Sequence, residues 1–230
     1  MNIYPISLDI VWESPQENLN RIEKEILSHK ADVFVLPELC TTGFTMNPGP
    51  YAESVPGPTS EYLCRLAKET RSWIIGSCIE SHDPKPKNAA FAIDRSGQIV
   101  NVYRKEHLFN YAGEDRHYSP GEPATVFDLD GVQAAVQICF DLRYPESFRA
   151  LRDDGAEMVF VIASWPEVRK HHWFTLLAAR AIENQMIVCG VNRIGPGYNF
   201  PGSIIFDEQG LEIKEPDFNK LRKWRKDFQI

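Results

Sequence analysis

The sequence predicts a single α/β domain with a mixed sheet system. Short apolar runs that are typical of buried strands alternate with amphipathic helical segments. Two pairs of these strands are separated by hairpin turns. The chain has 230 residues, a length that fits one large domain or two small ones, and no linker, repeat or low-complexity stretch divides it. One domain is therefore the expectation.

The first helix is expected to begin at Ser14. Ser14 can cap the helix, Pro15 suits its first turn, and Glu17 can complete a capping box. Its inward face is predicted to comprise Leu19, Ile22, Ile26 and Leu27. The next predicted elements are a strand covered on both faces at residues 33–36, a helix at about 61–70 and a strand at 73–79.

Two hairpins are predicted in the middle of the chain. Residues 88–93 and 98–103 flank the turn Arg95-Ser96-Gly97. Residues 126–129 and 132–139 flank Asp130-Gly131, the strongest hairpin signal in the sequence. The loop between these hairpins, 106–123, is rich in charge, glycine and aromatic residues, and loops of such length are often functional.

The last third continues the alternation of helix and strand. The predicted elements are a helix from Pro145 to about Asp154, a strand at 158–162, a helix at 173–184 with Leu176, Leu177 and Ala181 inward, a strand at 186–191, and a turn at Gly210 after 204–207. A basic amphipathic helix follows from about Asp217. Its cluster Lys220, Arg222, Lys223, Arg225 and Lys226 is expected to be a solvated face.

Charge and hydropathy restrict the partners that the chain can have. A formal net charge of −7 makes the protein a poor general binder of phosphate backbones, so no nucleic-acid partner is expected. No apolar run reaches the roughly 20 residues that span a bilayer, and the N-terminus lacks the basic start of a signal peptide. These features predict no membrane association and a cytoplasmic location.

The cysteine and histidine patterns favour neither a disulfide framework nor a metal site. The five cysteines are scattered, and no pair has CxxC spacing. No HxxxH helix accompanies the histidines, and no glycine-rich phosphate loop is present. No metal and no other cofactor is therefore expected.

Three reactive residues each come just after an apolar strand. They are Glu38, Lys105 and Cys139. Loops at strand ends are where α/β proteins commonly place their chemistry. Taken singly, the glutamate and the lysine would be interpreted as solvated charges and the cysteine as a buried apolar residue, which is also the expectation for Cys189.

The three motifs together resemble the nitrilase superfamily of carbon–nitrogen hydrolases. They read PELCTTGF around Glu38, YRKEHLF around Lys105 and ICFDLRYPE around Cys139, in the family's order. The resemblance implies a four-layer αββα sandwich, one catalytic domain over residues 1–230 with a shortened segment after about 210, and a homodimer. It also implies that Glu114 matches a second glutamate that the family places near the lysine.

The resemblance implies hydrolysis of a small linear amide through a cysteine thioester. Cys139 would attack the carbonyl, Glu38 would act as base and acid, and Lys105 would stabilise the oxyanion beside the backbone N–H of Phe140. Residues 163–169, ASWPEVR, are similar to the omega-amidase branch, which acts on 2-oxo dicarboxylic acid monoamides. A nitrilase, an aliphatic amidase, an N-carbamoyl amidase, a catalytically silent binding protein and a thiol redox protein remain alternatives.

Two residues are candidates for substrate binding. Arg143 could bind a substrate carboxylate, or it could form a structural ion pair with Glu146 or Asp141. Trp165 could line the pocket or belong to the core. Further candidate pocket walls are Phe44, Phe109 and Tyr111.

Overall fold

The computed structural model describes residues 1–228, in which eleven strands form two sheets. The first sheet has the order β1-β2-β3-β4-β5 and comprises Ile3–Pro5, Val33–Val35, Trp73–Glu80, Lys87–Ile93 and Ile99–Arg104. The second has the order β11-β10-β9-β8-β7-β6 and comprises, from β6 to β11, Phe127–Leu129, Val132–Ile138, Met158–Ala163, Ile187–Asn192, Ile204–Phe206 and Glu212–Ile213.

Both sheets mix parallel and antiparallel pairs. Strands β1, β2 and β3 are parallel, as are β7, β8 and β9. The hairpins β4–β5 and β6–β7 are antiparallel, as the turn sequences predict. The parallel strands direct their carboxyl ends to the same edge of each sheet, where polar side chains can meet.

Helices cover the outer face of each sheet. The described part of the chain contains six α-helices: α1 (Pro15–Ser28), α2 (Pro58–Thr70), α3 (Glu114–His117), α4 (Pro145–Asp153), α5 (Lys170–Asn184) and α6 (Phe218–Asp227). Apolar residues of α1 and α2 pack on the first sheet, and those of α4 and α5 pack on the second. A third cluster joins the facing sides of the two sheets. This is the four-layer αββα arrangement that the resemblance implies.

The start of α1 differs from its prediction. Ser14 is the N-cap residue but makes no side-chain capping hydrogen bond, and Glu17 accepts a hydrogen bond from Arg21 at 2.7 Å instead of closing a capping box. Leu27, expected to face inward, is 50% exposed, because one residue of helix turns its side chain about 100° away from that of the buried Ile26. The residues 1–228 contain no helix with both the length and the apolar character needed to cross a bilayer.

The basic face of α6 was expected to be solvated, and four of its five residues are exposed, whereas Arg225 is half-buried. Arg222 binds the carboxylate of Glu157 at 2.6 Å. Arg225 donates to the Ala156 and Gln185 carbonyls at 2.6 and 2.7 Å, and Lys220 pairs with Asp207 at 2.8 Å. These contacts hold α6 against the segments that precede β8 and β9 and against the turn that follows β10.

We expect Arg222→Ala to destabilise the fold by about 1–2 kcal/mol, because it leaves the largely buried Glu157 carboxylate without its charged partner. The half-exposed position of Arg222 keeps the effect below that of a fully buried pair. Urea unfolding measures it. Lys223→Ala, on an exposed part of the same helix, is the matched control and should change the free energy of unfolding by less than about 0.5 kcal/mol.

Candidate active site

The fold brings Glu38, Lys105 and Cys139 together at the carboxyl ends of β2, β5 and β7. Glu38 and Lys105 are buried, with 0% and 1% exposure, whereas Cys139 is partly exposed. Cys139 has φ of +48°, in the left-handed region that non-glycine residues rarely adopt. A strained turn of this kind directs a side chain out of a strand, and here it presents the thiol to a cavity.

The carboxylate of Glu38 is held by three donors. Its Oε1 accepts from Lys105 Nζ at 3.0 Å and from Asn88 Nδ2 at 2.8 Å. Its Oε2 accepts from the backbone N–H of Ser164 at 2.9 Å. Since Oε1 is occupied twice, Oε2 is the oxygen with acceptor capacity left for a proton from another group.

The structure places Glu114 on the other side of Lys105. Both carboxylate oxygens of Glu114 lie within 3.1 Å of Nζ, and Oε2 also accepts from the backbone N–H of Phe109 at 2.6 Å. Glu114 is the first residue of the short helix α3, within the long loop that the sequence marked as functional. The buried ammonium is thus fixed between two buried carboxylates.

The charges at the site favour a neutral thiol and a cationic lysine at rest. Burial alone lowers the pKa of Lys105, but Glu38 and Glu114 outweigh it and hold this pKa well above its usual range. Burial raises the pKa of Cys139 well above that of a free thiol, and the charge of Glu38 raises it further. Lys105 and the backbone N–H of Ser164 act in the opposite direction. The thiol therefore requires a base when it attacks.

Burial also raises the pKa of Glu114, and the charge of Glu38 adds to this effect, while Lys105 opposes it. Two carboxylates beside one ammonium share a single compensating charge.

Cys139 opens into a small cavity of about 180 Å³ with mainly apolar walls. The lining residues are Phe44, Phe109, Ala112, Cys139, Phe140, Arg143, Ser164, Trp165, Pro166, Arg169 and Tyr198. Trp165 lines the cavity and is also a core residue, with 3% exposure. Tyr111, considered as a wall from sequence, is 85% exposed and lies outside this lining.

Two guanidinium groups border the cavity. Arg143 lies 5.0 Å from the Trp165 ring and 3.1 Å from His172 Nδ1, and within residues 1–228 it has no ion pair with Glu146 or Asp141. Arg169 lies 5.5 Å from the Phe109 ring. Burial lowers the pKa of Arg143, and the charge of Arg169 lowers it further, while Cys139 acts in the opposite direction.

Four residues of the site were missed in the sequence. Asn88 and Ser164 donate hydrogen bonds to Glu38, Arg169 adds a second cation, and Tyr198 lines the cavity. The position of Arg169, four residues after Trp165 in a short 3₁₀ turn, was the one available signal. No group of three or more potential metal ligands occurs among the residues that the structure describes.

The chain is similar to known proteins over most of its length. The carbon–nitrogen hydrolase family model matches residues 4–221. A 2-oxoglutaramate amidase of Bacillus subtilis is 38% identical over 219 residues, 91% of this chain and 84% of the relative. An omega-amidase of Yersinia enterocolitica is 38% identical over 208 residues, 87% of this chain and 79% of the relative.

Solved structures show the same architecture. A superfamily protein from Xanthomonas campestris, with an arsenic adduct in its active site, superposes with a TM-score of 0.90 at 27% identity and covers 99% of this chain and 94% of its own. An amidase from Nesterenkonia sp. superposes with a TM-score of 0.83 at 26% identity and covers 94% and 88%.

Proposed function

The chain belongs to the carbon–nitrogen hydrolase family, and we propose that it hydrolyses the terminal amide of a small 2-oxo dicarboxylic acid monoamide. The products are a carboxylate and ammonia. The observation that carries this substrate class is the pair Arg143 and Arg169 beside the Cys139 cavity, neither of which has a carboxylate partner within residues 1–228. Such cations bind a substrate carboxylate in a chain whose net charge is −7.

The first half-reaction forms a thioester. As the Cys139 sulfur attacks the amide carbonyl, its proton passes to Oε2 of Glu38, the oxygen that retains acceptor capacity. The carbon–sulfur bond forms while the carbonyl becomes an oxyanion. The tetrahedral intermediate then expels the amine, which takes the proton back from Glu38 and leaves as ammonia.

The second half-reaction consumes one water. Glu38 removes a proton from water, which attacks the thioester carbonyl, and the carbon–sulfur bond breaks. The departing sulfur recovers a proton from Glu38, so the enzyme returns to its starting state. One carboxylate serves both halves because it stays fixed by Asn88 and Ser164 throughout.

Lys105 stabilises the oxyanion in both halves. Its buried ammonium is positioned before the substrate arrives, so its reorientation costs little in the transition state. The backbone N–H of Phe140 is the proposed second donor. Glu114 acts through Lys105: it holds the ammonium in place and maintains its charge.

The walls of the cavity select a short substrate. Phe44, Phe109 and Trp165 exclude water from the reacting carbonyl, and a cavity of about 180 Å³ suits a chain of few carbons. The guanidinium group of Arg143 packs against the Trp165 ring, which holds it in place while a carboxylate binds. An uncharged aliphatic amide would leave both guanidinium groups without a partner.

We expect Arg143→Met to raise KM for 2-oxoglutaramate by about 10- to 100-fold, with kcat within about threefold of the wild type, because a charge-assisted hydrogen bond contributes about 1.5–3 kcal/mol. Arg169→Met should act in the same direction. For propanamide, which has no carboxylate, both variants should match the wild type. The measurement is ammonia release from the two substrates.

The matched control is Arg21→Met, which removes a surface guanidinium on α1, far from the cavity. Equal losses of activity on propanamide and 2-oxoglutaramate in Arg143→Met would contradict carboxylate recognition. If the wild type hydrolysed nitriles or N-carbamoyl amino acids in preference to 2-oxoglutaramate, the proposed substrate class would be wrong, although the attack by Cys139 could still apply.

We also propose that residues 1–230 act as one catalytic unit. The proposed location is the cytoplasm and the proposed assembly is a homodimer. We propose no nucleic-acid or membrane partner. The five free cysteines support a reducing compartment. Ile182 on α5 and the adjoining Leu211 are 51% and 60% exposed, which supports a protein contact there. Sedimentation equilibrium distinguishes the dimer from a monomer.

A further inference from the structure

Asp141 is a fully buried carboxylate that the amide chemistry does not use. Its Oδ2 accepts from the Tyr103 hydroxyl at 2.7 Å and from the backbone N–H of Ile138 at 3.0 Å. Its Oδ1 accepts from the backbone N–H of His107 at 2.9 Å and lies 3.0 Å from Nδ1 of the same residue. A buried carboxylate with four close partners is well satisfied and rigid.

These contacts join the two segments that carry the lysine and the nucleophile. Tyr103 and His107 stand two residues before and two residues after Lys105. Asp141 itself stands two residues after Cys139, in the 3₁₀ turn that follows β7. The first segment ends a strand of one sheet and the second ends a strand of the other. One carboxylate therefore ties the two sheets together where the site lies.

The partners of Asp141 are themselves held in place. The His107 ring stacks on Tyr144 with 3.5 Å between centroids, and the Tyr103 hydroxyl accepts from the backbone N–H of Glu106 at 3.0 Å. Burial raises the pKa of Tyr103 well above its usual value, so the phenol remains a donor. The hydrogen bond to Asp141 raises the pKa of His107, so the imidazole tends to carry the charge that balances the carboxylate.

We propose that Asp141 is a positioning residue which, through Tyr103 and His107, fixes the distance between Lys105 Nζ and the Cys139 sulfur. The inference rests on the cysteine chemistry proposed above, in which Lys105 must face the oxyanion that forms at Cys139. Asparagine at this position would keep the volume but place an NH₂ group against N–H or O–H donors. The two segments would then separate slightly, and the charge of Lys105 would act on the sulfur less strongly.

The test is the pH dependence of Cys139 alkylation by iodoacetamide, together with kcat and KM, in Asp141→Asn. The groups that act on the sulfur are Glu38, Lys105, Glu114, Arg143, Tyr198 and the backbone N–H of Ser164. Lys105 lowers the pKa of the thiol, so a weaker lysine contact moves the inflection to higher pH. We expect this upward shift, with kcat at least about tenfold lower and KM within about threefold.

In Asp141→Asn, loss of the carboxylate charge and displacement of Lys105 from Cys139 predict shifts of the alkylation profile in opposite directions. Removing the Asp141 charge without movement would stabilise the thiolate and move the inflection to lower pH, and that result would overturn the proposal. Tyr103→Phe changes no charge and removes one donor, so it should give a smaller upward shift, and it serves as the test if Asp141→Asn does not fold. An unchanged profile in a folded Tyr103→Phe would also overturn the proposal.

A matched control distinguishes the positioning role of Asp141 from a role in stability alone. Glu157→Gln likewise converts a largely buried carboxylate to an amide, and its partner Arg222 lies on α6, away from the site. It should lower the unfolding temperature and leave both the alkylation profile and kcat unchanged. If Asp141→Asn behaved in the same way, the proposal would be wrong. Alkylation needs no substrate, so this outcome is separate from any failure of the proposed amidase activity.

Discussion

Cys139→Ala is expected to abolish hydrolysis of 2-oxoglutaramate, with kcat lower by about 10⁴- to 10⁶-fold, because loss of a covalent nucleophile removes both half-reactions. The fold should persist. Alanine removes only the sulfur, which faces the cavity, and it meets the same backbone demand as cysteine at φ of +48°. Ammonia release measures the rate, and urea unfolding shows whether the variant is folded.

The matched control is Cys64→Ala, which removes the other partly buried thiol at a site on α2. It should keep wild-type turnover. Peptide mass spectrometry after brief treatment with iodoacetamide should show Cys139 labelled ahead of the buried Cys40, Cys78 and Cys189, whose thiols face no cavity of this kind. Near-wild-type turnover by Cys139→Ala would remove the thioester route and with it the proposed mechanism.

Local pattern was sufficient to predict most of the secondary structure. Hairpins form where Arg95-Ser96-Gly97 and Asp130-Gly131 interrupt alternating apolar residues, because turn geometry is decided within a few residues. The layering of the two sheets could not be predicted from local sequence patterns. Periodicity shows that a strand such as β2 is covered on both faces, but it does not show what covers it. That prediction came from the resemblance.

The residues of the candidate site likewise comprise some that local patterns predict and others that they do not. Glu38, Lys105 and Cys139 stand at strand ends within recognisable motifs, so their position could be predicted. Asn88 binds Glu38, which lies 50 positions away, and no local pattern shows this contact. Arg169 stands in the ASWPEVR motif, but its place beside the cavity depends on the tertiary fold. Arg225 on the basic face of α6 departs from its prediction for a related reason, because the carbonyl groups that it binds lie in distant loops.

Glu38→Gln is expected to lower kcat by about 10³- to 10⁴-fold while it makes Cys139 easier to alkylate. The loss arises because glutamine accepts no proton from the thiol or from water. The gain arises because the charge of Glu38 raises the pKa of the Cys139 thiol, and its removal lowers that pKa. The inflection of the alkylation profile should therefore move to lower pH. Binding should persist, since Arg143 and Arg169 are unaffected.

The opposite signs of the two effects make the experiment specific. The amide oxygen of glutamine can still accept from Lys105 and Asn88, so the residue that replaces Glu38 stays in place. A general collapse of the site would slow turnover and alkylation together. A role for Glu38 in binding alone would raise KM and leave kcat near the wild-type value. Only a carboxylate that moves protons during turnover, and opposes the thiolate at rest, gives a slow enzyme with a more reactive cysteine.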